Sequence, residues 1–150
     1  MIDNTGSAYQ SYLTADATTT STAAVNVTGL SFPVGGNEAW TFEFNLRIGS
    51  SSTAGMKVAL TFPSGATLLA TAIGATSGVT AQSTDLMSAS GTLGLAFNTF
   101  NGQTGVLRIT GCITTGSTPG IVQLQQAKVT SGTSTVAALS FLRAQRTSKL

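Results

Sequence analysis

The stretch WTFEFNLRI, residues 40–48, decides the fold. Trp40, Phe42, Phe44, Leu46 and Ile48 alternate without a break with Thr41, Glu43, Asn45 and Arg47. Side chains of an extended chain point to opposite faces at period two, so one face is apolar and the other polar. A strand of this length runs roughly 30 Å. A helix would spread the same apolar residues around its whole circumference, which excludes it. The chain is therefore organised around half-buried antiparallel sheet.

Working outward, short strand-like runs recur between turn residues. Residues 9–14 form a weak first candidate. AVNVTGLSF (24–32) alternates until Gly29, where a bulge or bend is expected. Pro33, Gly35 and Gly36 break the chain before residue 40. After a Ser/Thr/Gly connection, MKVALTF (56–62) places Met56, Val58, Leu60 and Phe62 on one face. TLLATAI (67–73) alternates more weakly. Residues 74–91 read as a long loop with at most one short strand, anchored by Val79, Leu86 and Met87. LGLAFNTF (93–100) aligns Leu93, Leu95 and Phe97, and Asn101-Gly102 marks a tight hairpin because both residues tolerate positive φ. Strands over residues 106–114, 121–129 and 136–144 complete the series.

These segments predict an all-β domain: an antiparallel β-sandwich, jelly-roll-like, of about eight strands. The expected core is Trp40, Phe42, Phe44, Leu46, Ile48, Val58, Leu60, Phe62, Leu95 and Phe97. Residues 1–20, ending near a Thr/Ser run, are expected to form an extended arm or entry segment, with the sandwich over 21–150. Tyr9, Tyr12 and Leu13 in that segment are the expected partner-contact residues.

Composition narrows the function. Of 150 residues, 41% are apolar and only 8% charged, against about 25% charged in ordinary soluble domains. Thr, Ser, Ala and Gly fill the difference, and Thr suits the wet face of a strand. A surface kept wet by hydroxyls can be covered by neighbours with few ions to strip of water. Seven Lys and Arg against five acids leave +2, with no basic stripe interleaved with aromatics, so no nucleic-acid partner is expected. No apolar run approaches a membrane span. The first ten residues do not resemble a signal peptide, so synthesis in a cytoplasm is expected.

Catalytic constellations are missing. The chain has no histidine, and its single cysteine, Cys112, sits in LRITGCIT, where a buried small hydrophobe is the expected role. The acids Asp3, Asp16, Glu38, Glu43 and Asp85 are scattered, and a separation of five puts Glu38 and Glu43 on opposite faces of one strand. No cofactor, no metal site and no enzymatic activity are expected. Trp40, which could stack on a sugar, keeps register with Phe42 and Phe44 and belongs to the core.

ADATTTSTAAVNVTGLSFPVGGNEAWTFEFNL (15–46), GVLRITGCITTGSTPGIVQLQQAKV (105–129) and SFLRAQR (140–146) together resemble a module of tailed-bacteriophage virion proteins. The shared steps are a Thr/Ser-rich entry, a V-x-V-T-G-L-S-F segment, a Gly turn, an aromatic-alternating strand and a closing Ser-aromatic-Leu-x-Ala strand. The resemblance implies a trimeric β-sandwich on a virion, and it transfers no catalytic residues. About twenty residues ahead of the sandwich reach at most ~70 Å. This favours a capsid decoration (cement) protein on the head exterior, with the major capsid protein and its own copies as partners. A tail-fibre or tail-tip module binding a host glycan is the alternative, and a small β-sandwich lyase or esterase a third.

Overall fold

The alternating stretch forms the centre of a thirteen-residue strand, β4 (Glu38–Ser50), and the remaining strands pair around it. The computed structural model describes residues 7–51, 55–76, 83–94 and 104–150. Eleven strands and no helix occur among them, in two antiparallel sheets arranged as a sandwich. In chain order the others are β1 (Ala8–Tyr12), β2 (Ala17–Thr19), β3 (Val25–Val34), β5 (Lys57–Thr61), β6 (Thr67–Thr76), β7 (Ser83–Met87), β8 (Thr104–Thr114), β9 (Gly120–Ala127), β10 (Ser134–Val136) and β11 (Phe141–Lys149). The larger sheet runs β1-β11-β4-β8-β6-β7, with β10 pairing β4 and β2 pairing β10. The smaller runs β3-β9-β5.

Trp40, Phe42, Phe44, Leu46 and Ile48 are all buried, facing the small sheet. Phe32 of β3 closes the gap, its ring centroid 5.8 Å from Trp40 and 5.7 Å from Phe42. Val58 and Leu60 are buried from β5, while Phe62 packs half-buried at the margin. Leu95, Phe97 and the Asn101-Gly102 hairpin lie outside the described residues, as does Val79.

Gly29 takes φ +95°, and the β3–β9 register slips between Asn26 and Ser31. The slip changes the parity of burial. Val27 points inward before it, and Leu30, Phe32 and Val34 point inward after it. Gln123 supports the bulge, its Nε2 donating to the carbonyls of Val27 (3.1 Å) and Leu30 (3.3 Å). A carbonyl freed from a ladder needs such a donor.

Two expectations are corrected. Residues 8–19 are not an arm: β1 pairs with β11 from Ala8↔Gln145 to Tyr12↔Phe141, and β2 pairs with β10. The segment is a broken edge strand whose partners come from the far end of the chain. Residues 136–144 are not one strand either. The chain leaves the sheet at 137–140, where Leu139 adopts φ 68°, and re-enters as β11. Side chains hold the break: Arg47 N–H donates to Ser140 Oγ (2.9 Å), and Ala138 N–H donates to Asp16 Oδ1 (2.8 Å). Of the two described loop anchors, Leu86 is exposed and Met87 is buried.

Phe44 is fully buried, so Phe44→Ala removes a ring from the centre of the sandwich. It is expected to cost about 3–5 kcal/mol in urea denaturation. Ser140→Ala orphans the Arg47 N–H at the break and is expected to cost about 1–3 kcal/mol in the same assay.

Candidate interaction surface

The small sheet covers one face of the large sheet, and the opposite face is left open among the described residues. Period-two alternation places on it Thr41, Glu43, Asn45 and Arg47 of β4, with Val106, Arg108, Thr110, Cys112 and Thr114 of β8. Leu69, Thr71 and Ile73 of β6 and Leu86 of β7 extend it on one side. Phe141, Arg143 and Gln145 of β11, then Ala8, Gln10 and Tyr12 of β1, extend it on the other.

The two halves differ in chemistry. On β6, β7 and β8 the aliphatic residues stand out: Leu69, Ile73, Leu86 and Val106 are between 43% and 64% exposed. Leu69 lies opposite Cys112, and Leu86 opposite Thr71. On β1, β11 and β4 polar groups dominate. Arg108 Nη2 pairs with Glu43 Oε1 at 2.8 Å, and Asn45 Nδ2 donates to the same oxygen. Being largely exposed, the Arg108–Glu43 pair adds little to stability. Arg143 lies with its guanidinium carbon 5.2 Å from the centroid of the Phe141 ring.

The expected contact residues part company here. Tyr12 is 61% exposed on the open face, across from Phe141. Tyr9 points the other way and packs half-buried against the core. Leu13 is buried, its N–H donating to Ser140 O (2.8 Å) and its carbonyl accepting from Leu139 N–H (2.9 Å), so it presents no free side chain to a partner. Cys112 is exposed, correcting the expectation of burial. The parity that turns Leu107, Ile109 and Ile113 inward turns Cys112 outward, beside Arg108 and Thr110. Leu69 was also overlooked. Its signal is Leu68-Leu69, where two adjacent apolar residues on a strand cannot both face in.

Glu38 and Glu43 do lie on opposite faces of β4, and Glu38 is the buried one. Its Oε2 accepts from Gly35 N–H (2.7 Å) and Trp40 Nε1–H (2.9 Å), and its Oε1 accepts from Arg146 Nη1 (3.0 Å). A Cβ at Gly35 would stand 2.7 Å from this carboxylate, so only glycine lets the turn close on it. Thr115 locks the same corner, its Oγ1 accepting from Glu38 N–H (2.9 Å) and donating to Gly35 O (2.7 Å). Burial alone would raise the Glu38 pKa; the bonds from Trp40, Gly35 and Arg146, with the Arg146 charge, outweigh it and leave it below the ordinary carboxylate value. The constellation is a structural clasp joining the β3–β4 turn to β11.

No protein-family model matches the chain, and no curated protein matches it. Among solved structures, the Gx strain of infectious bursal disease virus is 11% identical over 99% of this chain and 37% of that chain, with a TM-score of 0.25. The Gt strain of the same virus gives 13%, 99%, 39% and 0.26, and its VP2 subviral particle 9%, 97%, 42% and 0.21. The chain thus spans about two fifths of the length of these viral chains. Likenesses with TM-scores this low carry no argument about fold or function.

A lowered carboxylate pKa stabilises the fold above the unfolded-state value, and that contribution is lost as pH falls through the folded value. Glu38→Gln is therefore expected to lower the melting temperature at neutral pH and to flatten its decline between about pH 5 and pH 2. Parallel pH profiles for the two proteins would exclude the clasp as an acid-labile element.

Proposed function

We propose that the chain is a virion structural protein: a decoration protein on the exterior of a phage head, binding the expanded shell as a homotrimer. The observation that carries this reading is the open face, with four exposed aliphatic side chains on its β6–β7–β8 half and one acid, Glu43, already paired. The β6–β7–β8 half, with strands of five to eleven residues at ~3.3 Å per residue and ~4.8 Å spacing, makes roughly 400 Å² per copy, about 1,200 Å² in a trimer. A standard interface takes about 800 Å² per partner. Covering this face strips few ions of water, which keeps the desolvation cost low. The phage-module resemblance of residues 15–146 supports the same assignment.

The mechanism is mechanical. Packaged DNA presses outward on a shell, and a ligand that binds only the expanded lattice stabilises that lattice by mass action. Each aliphatic side chain buried at the junction contributes about 1.5–3 kcal/mol. Trimerisation multiplies weak single contacts into avidity. β1 stands at the end of the large sheet with one edge open, where a neighbouring chain can add a strand.

Leu69→Asp with Ile73→Asp places two charges on the aliphatic half without touching the core. The double variant is expected to keep its melting temperature and to lose binding to expanded, empty capsids by 100-fold or more, about 2.7 kcal/mol. Undiminished binding would rule out this face as the shell contact. A monomer in sedimentation, with no affinity for shells, would remove the decoration reading altogether.

A further inference from the structure

The β1–β11–β4 half of the open face forms a shallow trough of about 720 Å³, lined among others by Gln10, Thr41, Glu43, Thr110, Arg143 and Gln145. Register places these side chains in rows. Gln10, Arg143, Glu43 and Thr110 lie in line across four strands, and Gln145 and Thr41 lie in line beside them. Tyr12 stands two residues along β1 from Gln10, on the same face, with its side chain 61% exposed.

The charge in the trough is unbalanced at one point. Glu43 is neutralised by Arg108 at 2.8 Å and bonded by Asn45. Arg143 spends its contact on the Phe141 ring, 5.2 Å from the centroid, which orients the guanidinium without using its N–H donors. Those donors meet no acceptor among the described residues. Gln10 and Gln145 add two side-chain amides, each with donors and an acceptor in one plane. An exposed aromatic ring, planar amides and one pre-oriented guanidinium are the groups that fit a sugar ring: an apolar C–H face, hydroxyls and a carboxylate. Among the described residues lining the trough Arg143 is the one cation, too few to follow a phosphate backbone, where affinity rests on several contacts.

We propose that this trough binds an acidic saccharide of the uronic-acid type. Arg143 takes the sugar carboxylate as a bidentate pair. Gln10 bonds a hydroxyl beside it, Gln145 a hydroxyl of the next sugar along the trough, and Tyr12, just beyond the trough lining on the opposite side of Arg143, stacks on the sugar there. The site goes beyond shell binding and does not depend on it, because the aliphatic half of the face lies on the other side of β4. A decorated particle would carry many weak copies of it, enough for avid attachment to a polysaccharide surface.

The test is a titration of the full chain, followed by NMR, with a galacturonic acid trisaccharide and with the neutral galactose trisaccharide. Saturable shifts at the backbone amides of β1 and β11 are expected with the acidic ligand, and binding about tenfold weaker with the neutral one. Arg143→Gln should bring the acidic ligand down to the neutral level, while Tyr12→Ala should weaken both. Both residues are exposed, so unchanged melting temperatures are expected. Leu69→Asp should leave the titration as it is. Equal affinity for the two ligands, indifference to Arg143→Gln, or no saturation by about 10 mM would each overturn the proposal; none of these bears on capsid binding.

Discussion

The packing of Phe32 into the aromatic row of β4 joins the two sheets at the centre of the core. Phe32 brings a ring of the small sheet against both Trp40 and Phe42, and Phe42 in turn meets Phe44 edge-on at 5.9 Å. The neighbours of Phe42 in the large sheet are small. Ala144, Gly111 and Ala70 lie in line with it across β11, β8 and β6. A Cβ at Gly111 would come within 2.5 Å of the Ala70 Cβ and of the Leu69 carbonyl, so the strands can approach here only with glycine at that position. Large rings from β4 and β3 thus occupy the space that the flanking strands leave, which is how a close-packed interior is made from so few aromatics.

The Gly29 bulge is what lets Phe32 arrive. Without the shift of parity, Leu30, Phe32 and Val34 would face water and Val27 alone would face in. The Gln123 side chain restores hydrogen bonds that the bulge removes from the ladder, so its conformational cost is not compounded by orphaned carbonyls. At the same end of β4, Glu38 does comparable work with a charge. It ties a glycine turn, the Trp40 indole and Arg146 to one carboxylate.

What could be read from the sequence follows from how local the cause is. The period of β4 and the bend at Gly29 are properties of a few consecutive residues, and both are visible in the chain. The break at 137–140 is not. Val136 to Ala144 is apolar enough to continue as one strand, and the interruption is held by Ser140 and Asp16, whose partners lie 93 and 122 residues away. β1 and β2 are equally non-local, since five- and three-residue edges with little alternation acquire their register only from β11 and β10. Cys112 was legible and overlooked, because composition argued for burial while the alternation of its own strand argued against it. The open face as a site was out of reach: Tyr12, Arg143 and Glu43 meet only through three strands drawn from the two ends and the middle of the chain.

Both proposals for that face rest on its scarcity of ions. On β6, β7 and β8 it leaves aliphatic side chains among threonines, a surface that a large partner can dehydrate cheaply. On β1, β11 and β4 the same scarcity makes a single guanidinium conspicuous. Where charges are crowded, an added carboxylate chooses among many partners and each pair is worth little. Here Glu43, across from Arg143 in register, is already paired with Arg108, and Arg143 is held against Phe141 with its N–H donors unspent. Orientation by an aromatic ring reduces the entropy lost on binding, which favours a planar bidentate ligand over a diffuse cloud of anions. The proposed selectivity for an acidic sugar then rests on one arginine, and the apolar half of the sheet stays available for the proposed assembly.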